Sequence, residues 1–256
     1  MSHHLVAMED VHYRYLDGTP ALCGVSFTLH HGESLGLVGG NGAGKSTVLL
    51  HLAGVLFPQR GTVRVGDWPV TPGTVAHVRR SLGMVFQDPD DQLFMPTVEE
   101  DVAFGPTNLG LPPEEVRARV ETALDRVGAQ HLLARPPYRL SGGEKRAVSI
   151  ATVLAMSPDI LVMDEPSSGL DPASRRGLVD QLRAFEHTKI VASHDLDLVV
   201  EVCRRTIVLD RGRVTADGPT REILARGDVL ARARLEPPQG LRSCPRCGAV
   251  GDWHLA

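Results

Sequence analysis

The stretch Gly39-Gly40-Asn41-Gly42-Ala43-Gly44-Lys45-Ser46-Thr47 decides how this 256-residue chain is read. It fits G-x-x-x-x-G-K-[ST], with Gly39 and Gly44 as the fixed glycines. Residues 32–38 (GESLGLV) read as a buried strand leading in, and residues 46–53 (STVLLHLA) as a helix leading out. Strand, glycine loop and helix in that order make an anion site. Glycines let the backbone turn tightly, so successive N–H groups point at phosphate oxygens. The helix N-terminus adds positive potential. Lys45 supplies a point charge for β- and γ-phosphates, and Ser46 a hydroxyl for Mg²⁺. Chance would give on the order of 0.003 such matches in a chain of this composition, so a glycine turn without a ligand is the weaker reading.

Composition narrows the classes. At 42% hydrophobic, the chain can bury the core of one large α/β domain with a sub-domain. A net charge of −4 and a pI near 6.3 argue against bulk nucleic-acid binding. No apolar run approaches the roughly 18 residues of a membrane span. The start, MSHHLVAMEDV, lacks a charged region followed by an apolar one, so no leader is expected. Cys23, Cys203, Cys244 and Cys247 are too few and scattered for a disulfide framework, which points to the cytoplasmic side. Arginine outnumbers lysine 24 to 3, yet two of the three lysines, Lys45 and Lys145, fall inside motifs.

Before the glycine loop, residues 5–15 read as a strand, Asp17-Gly18 as a turn, and residues 24–29 (GVSFTL) as the returning strand. Tyr13 and Tyr15 share one side of that strand, and Tyr15 lies 30 residues before Lys45. After the loop, residues 61–65 (GTVRV) form a short strand and residues 79–86 lead into another. Gln87 then opens QDPDDQLF, where an amide at a strand end can reach a metal or a water. The acids Asp88, Asp90 and Asp91 sit in a Pro-containing turn and read as solvated surface rather than a metal site.

The pattern changes over residues 96–157. Prolines 96, 106, 112 and 113 punctuate its first half. Pro113, Glu114 and Glu115 open a helix whose Val116, Val120, Leu124 and Val127 follow helical spacing, and Gly128 ends it. Leu140-Ser141-Gly142-Gly143-Glu144-Lys145-Arg146 leads a second helix through residue 155. Ser141 reads alone as an N-cap, or as a second anion-binding N-terminus. The next element favours the latter: residues 160–163 (ILVM) are a buried strand delivering Asp164 and Glu165. Strand-then-acid is the second half of a phosphate-loop site, with Asp164 placed to hold Mg²⁺ and Glu165 to polarise a water. A turn (SSGLDP, 167–172), a helix to residue 185 and a buried strand at 189–193 follow. That strand delivers His194, at a position where ligands sit in open α/β sheets. Residues 206–210 and 212–217 form a last antiparallel pair, and residues 219–225 a closing helix. The Pro-rich tail, residues 231–256, ends in Cys244-Pro245-Arg246-Cys247. This is half of a zinc-ribbon pattern, to be completed by His254 or by a second tail, or else a reduced tail without metal.

Taken in order, residues 39–47, Gln87, LSGGE at 140–144, ILVMDEP at 160–166, SGLD at 168–171 and His194 resemble an ATP-binding-cassette (ABC) ATPase over about residues 5–226. The resemblance implies an α/β fold, a P-loop NTPase (RecA-like) cassette over residues 1–230 with an antiparallel β sub-domain and a helical sub-domain at about 96–157. It implies ATP and Mg²⁺ as cofactors, and two cassettes stacked head to tail. Gly39, Gly40, Asn41, Gly42, Ala43, Gly44, Lys45, Ser46 and Thr47 then hold phosphates, and Tyr15 stacks on adenine. Ser46, Gln87 and Asp164 surround Mg²⁺. Glu165 is the general base, and His194 senses the γ-phosphate. Asp171 links the two sites, while Ser141, Gly142, Gly143 and Glu144 complete the partner's site. Gly40 stands where Pro or Ser is frequent.

A narrower likeness lies in QDPDDQLF with PTVEEDVAFGPTNLGL, which resemble cassettes of energy-coupling-factor (ECF) importers. HDLDLVVEVC with VLDRGRVTADGPTREIL resemble their cobalt/nickel branch. The expected partners are a second cassette and integral membrane subunits, with no nucleic acid, at the cytoplasmic face of the membrane. A vitamin importer of the same type, or another ABC transporter, is the alternative. A soluble ABC ATPase acting on ribosomes or DNA usually carries two cassettes or a long coiled-coil insert, absent here. A purely regulatory nucleotide-binding module would not need both Glu165 and His194.

Overall fold

The computed structural model describes residues 4–241. The chain runs through β1 (His4–Arg14), β2 (Pro20–His30), β3 (Ser34–Val38), α1 (Lys45–Leu52), β4 (Arg60–Val65), β5 (Trp68–Pro69), α2 (Val75–Ser81) and β6 (Leu82–Val85). Three helices follow, α3 (Val98–Asn108), α4 (Pro113–Arg126) and α5 (Gly142–Leu154). Then come β7 (Ile160–Asp164), α6 (Pro172–Ala184), β8 (Thr188–Ala192), α7 (Leu196–Val202), β9 (Arg205–Asp210), β10 (Arg213–Pro219), α8 (Thr220–Leu224) and α9 (Gly227–Arg232).

Two sheets organise these elements. A six-stranded sheet has the order β10-β9-β3-β8-β7-β6, parallel except for the antiparallel edge strand β10. Its β3, β7 and β8 are buried at every position, as expected of central parallel strands covered on both faces. A four-stranded antiparallel sheet has the order β2-β1-β4-β5. The expected first hairpin is therefore larger than its sequence signal, with β4 added to the free edge of β1.

The two hydrophobic clusters divide along the same lines. Met8, Leu22, Leu29, Leu35, Leu37, Leu49 and Leu52 lie between the antiparallel sheet, α1 and one face of the parallel sheet. Val98, Val102, Leu124, Leu132, Val148 and Leu161 join the three helices of residues 98–154 to the opposite face. Capping boxes start α3 and α5: Thr97 with Glu100, and Ser141 with Glu144. Pro112 and Pro113 start α4.

Three local readings are corrected. Residues 79–81 belong to α2 and the strand begins at Leu82. With seven residues, α2 is too short to show a helical period. Residues 196–202, unassigned in the sequence, form α7. Residues 227–241 also pack: α9 follows α8, and Leu235 and Leu241 lie against the core.

Candidate functional site

The parallel strands β3, β7 and β8 end side by side, and their C-terminal ends deliver the site. β3 opens into the glycine loop, β7 into Asp164-Glu165, and β8 into Ser193-His194. This is where open α/β sheets hold ligands. A cavity of about 560 Å³ there is lined by Asn41 to Thr47, Tyr15, Gln87, Glu165 and His194.

The loop's shape rests on its glycines. Gly42 and Gly44 sit at φ of +75° and +108°, where a side chain is strained. A Cβ at Gly44 would also come within 2.7 Å of Ala21 O. At Gly40 a Cβ would lie 3.1 Å from Ala233 O and 3.7 Å from Arg234 Cβ. The Gly40 N–H donates to that same Ala233 carbonyl at 3.1 Å. Glycine at this position thus suits a close backbone contact with the segment after α9.

Lys45 is 7% exposed. Its Nζ donates to Gly39 O at 2.8 Å and to Gly40 O at 3.5 Å, and lies 3.5 Å from Glu165 Oε1. Glu165 is equally buried, at 6% exposure. Its Oε2 accepts from Ser193 Oγ at 3.0 Å, His194 N–H at 3.1 Å and His194 Nδ1 at 2.7 Å. The Glu165 backbone occupies the left-handed region at φ +44° and is held there by its N–H to Ala192 O at 2.8 Å. Such a conformation costs about 1 to 3 kcal/mol in a residue with a side chain and clusters at functional sites. Adjacent residues on one strand end therefore aim differently, as the spacing predicts.

Asp164 is 5% exposed. Burial raises its carboxyl above the usual range and Glu165 adds to the rise, while the Ser46 hydroxyl, Lys45 and Arg146 oppose it. Its Oδ1 is buried with no hydrogen-bond partner among the described residues. An unpartnered buried carboxylate oxygen beside a serine hydroxyl, with the Gln87 amide on the same cavity, is an all-oxygen donor set that fits Mg²⁺. Among the described residues, no group of three or more His, Cys, Asp and Glu is placed to hold a metal ion.

Tyr15 lies just past β1, 39% exposed. Its hydroxyl pairs with Thr47 Oγ1 at 2.9 Å, and its ring meets Tyr13 edge-on at 5.3 Å. Tyr13 in turn packs edge-on against His51, a buried histidine whose Nδ1 donates to Thr47 O at 2.7 Å. Burial lowers the proton affinity of His51, so it donates as a neutral ring.

Ser141, Gly142, Gly143 and Glu144 do not line this cavity. Ser141 Oγ accepts the Glu144 N–H at 3.3 Å, and the Glu144 carboxylate accepts the Ser141 N–H at 2.7 Å. Gly143 lies beside Ser174 and Asp171. Asp171 caps α6, accepting from the N–H groups of Ala173 and Ser174 and from Ser174 Oγ. In one chain this group thus lies at the start of α5 and α6 and takes no part in the lining of the glycine-loop cavity. Cys244, Cys247 and His254 lie outside the described residues.

Several residues that shape the site went unassigned in the sequence. Ser193 was visible only as the residue before His194. Arg146 and Gln92 stood inside quoted motifs without a role. Nothing local points to Ala233.

The ABC transporter family profile matches residues 22–168. A putative ABC transporter ATP-binding protein of Geobacter sulfurreducens is 64% identical over 248 residues, covering 97% of this chain and 100% of that protein. The energy-coupling factor transporter ATP-binding protein EcfA of Methanothermobacter thermautotrophicus is 43% identical over 240 residues, covering 92% and 77%. The structure of cbiO1 from Clostridium perfringens, part of the ABC transporter complex cbiONQ, superposes with a TM-score of 0.78 at 39% identity, covering 90% and 94%. A dimeric ATP-binding cassette in a post-hydrolysis state with ADP and Pi superposes with a TM-score of 0.76 at 26% identity, covering 84% and 98%. The glycine loop, the buried Asp164-Glu165 pair and these likenesses agree, and the chain belongs to the ABC transporter family as an ATPase cassette of the energy-coupling-factor type.

Proposed function

We propose that this cassette drives an ECF importer for cobalt or nickel ions, working as one of two stacked cassettes beneath integral membrane subunits at the cytoplasmic face. The observation that carries the ATPase half is the convergence of Lys45, Glu165 and His194 around one cavity at adjacent strand ends, with the buried Asp164 next to Glu165 at the end of β7. The likeness to cbiO1, itself part of the ABC transporter complex cbiONQ, supports the partners. The resemblance of residues 194–203 and 208–224 to the cobalt/nickel branch supports the cargo. Among the described residues no helix is long and apolar enough to cross a membrane, so the transport path belongs to other subunits.

In this reading Lys45 and the loop amides bind the phosphates, and Tyr15 turns its ring to the adenine. Ser46, Asp164 and Gln87 would hold Mg²⁺, which would supply charge neutralisation for the transferring phosphoryl group. Lys45 leaves Glu165 for the phosphates, and Glu165 Oε1 is then free to accept a hydrogen bond from the attacking water. His194, tied to Oε2, keeps that carboxylate aimed and reports on the γ-phosphate. Asp171 and residues 141–144 complete the partner's site. Separately from this reading, the C-x-x-C pattern offers Zn²⁺ a site between the Cys244 and Cys247 pairs of two chains, the alternative being a reduced tail without metal; metal analysis finding about one Zn²⁺ per two chains supports the site, and none, with both thiols freely alkylated, refutes it.

Uptake by the purified complex in vesicles tests the cargo. Accumulation of radioactive cobalt or nickel on adding internal ATP supports the metal reading. Accumulation of a labelled vitamin, with no metal uptake, refutes it in favour of the vitamin branch.

A further inference from the structure

Residues 86–92 leave the parallel sheet at the end of β6, where Val85 pairs with Met163 of β7. They do not run free. Within one residue of the strand end they are seized by α5, the helix that begins at the Ser141 cap. Arg146 Nη1 donates to Phe86 O at 2.7 Å, and Nη2 to Gln87 O at 2.5 Å. The Phe86 N–H donates to Gln92 Oε1 at 3.1 Å. The amide of Gln92 is itself bound to α5: its Nε2 donates to Ser149 O and to Thr152 Oγ1, each at 2.7 Å. Lys145 adds an outer tie, its Nζ 2.6 Å from Asp90 Oδ1.

We propose that Arg146 and Gln92 are positioning residues that set the Gln87 amide at the metal side of the cavity by making residues 86–92 a rigid extension of α5. The proposal rests on the reading of Gln87 as a donor to Mg²⁺. The geometry is specific. Both carbonyls flanking the Gln87 amide nitrogen, and the N–H one residue earlier, are gripped by side chains that answer to one helix. With its neighbouring peptides fixed, Gln87 has only its own side-chain torsions left to adjust.

The choice of arginine is informative. Arg146 is 3% exposed and makes no ion pair within 4 Å among the described residues. A buried charge met only by two carbonyl dipoles, with its Nε left unpartnered among the described residues, is expensive if its purpose is merely to fill space. A planar fork is what two adjacent carbonyls require, and lysine cannot reproduce it. Longer-range attraction from Asp88 and Asp164 offsets part of the burial. The arginine therefore ties the start of α5 to both carbonyls flanking the Gln87 amide nitrogen. Since α5 also carries residues 142–144 at its start, the same helix bears the ties to the Gln87 loop and the residues read as completing the partner's site.

The test is equilibrium binding of a fluorescent ATP analogue to the full-length chain, titrated with Mg²⁺, alongside phosphate release. Arg146→Met and Gln92→Ala should leave metal-free nucleotide affinity unchanged within about twofold, because Lys45 and the loop are untouched. The Mg²⁺ concentration for half-maximal binding should rise about tenfold, as for loss of a group that orients a metal ligand. Arg146→Lys keeps the charge without the fork and should behave like Arg146→Met, which covers the case in which Met at this site fails to fold. Gln87→Ala should show the same Mg²⁺ shift, and the double variant Gln87→Ala/Arg146→Met should be no worse than Gln87→Ala. If Gln87→Ala shifts the Mg²⁺ requirement while the folded clamp variants do not, the positioning role is overturned and the Gln87 reading stands. If Gln87→Ala shifts nothing, the Gln87 reading falls and the positioning role with it, whatever Arg146→Met does.

Discussion

Replacing Glu165 by Gln separates two jobs that the carboxylate does. In the described structure Glu165 Oε1 faces Lys45 Nζ at 3.5 Å, with both side chains buried. The gross attraction at that distance is about 5 kcal/mol at an effective dielectric of about 20. Desolvation of both ions offsets most of this, leaving about 1 to 2 kcal/mol that the nucleotide must displace before Lys45 reaches the phosphates. Gln removes that competitor, and its amide points an N–H₂ at the ammonium if its oxygen stays with Ser193 and His194. Metal-free ATP affinity should therefore rise about 5- to 30-fold in Glu165→Gln. Phosphate release should fall about 10²- to 10⁴-fold, since an amide cannot take a proton from water. With hydrolysis blocked, Mg·ATP should hold two cassettes together, read as earlier elution on size exclusion. Lys45→Ala is the control that should lose affinity outright, and Asp164→Asn the one that should disturb Mg²⁺ instead. Near-normal phosphate release would sink the general-base role and turn attention to His194. Unchanged or weaker metal-free affinity would sink the competition between Glu165 and phosphate for Lys45.

Two further outcomes follow from surface and core. Phe94 and Phe104 are 62% and 43% exposed and meet edge-on at 5.0 Å beside the Gln87 loop, so Phe94→Asp should abolish co-purification with the membrane subunits while ATP binding persists; retained assembly would show that docking runs elsewhere. This is a cleaner probe than reversing Asp90, whose carboxylate is already committed to Lys145. Burial pushes the Cys203 thiol up to about 12 against slight opposition from Lys189, so iodoacetamide at pH 8 should label half-buried Cys23 and spare Cys203 until the protein is denatured. The sign is that of an acid weakened by folding: stability from this thiol is intact below the unfolded value of about 8.5 and is lost as pH climbs toward 12. Equal labelling of both thiols in the native protein would contradict the packing.

The parts of the fold legible in the sequence are those whose signal is local and repeated. The central strands are short apolar runs because both faces are covered, and each ends at the residues that line or adjoin the candidate site, so strand and site position are read together. Residues 39–47 are legible because phosphate binding by backbone requires glycines at set spacings. What stayed hidden is held by contacts between distant segments. The grip of Arg146 on Phe86 and Gln87 spans some 60 positions and leaves no spacing rule. The burial of Asp101, whose carboxylate accepts from the N–H groups of Phe94 and Met95, reads in sequence as one more acid at a helix start. Ser141 shows the opposite case: the capping box is plain in S-G-G-E, but a cap and a contribution to another molecule's site use the same residues, so spacing alone left both open. Gly40 looked like a departure from a pattern and is explained only by Ala233 lying against it.

That contact has a bearing on how the chain matures as it is made. The strand that carries the phosphate loop, β3, is flanked by β8 and β9, and the loop itself is buttressed by a carbonyl at residue 233. A ribosome emits the loop early and its supports last. A nascent chain stopped near residue 180 has the whole glycine motif and the acids of β7, yet neither neighbour of β3. Long-range parallel pairing of this kind is slow to form and open to misassembly. The expected outcome is that stalled nascent chains bind ATP only once β8, β9 and Ala233 have left the exit tunnel.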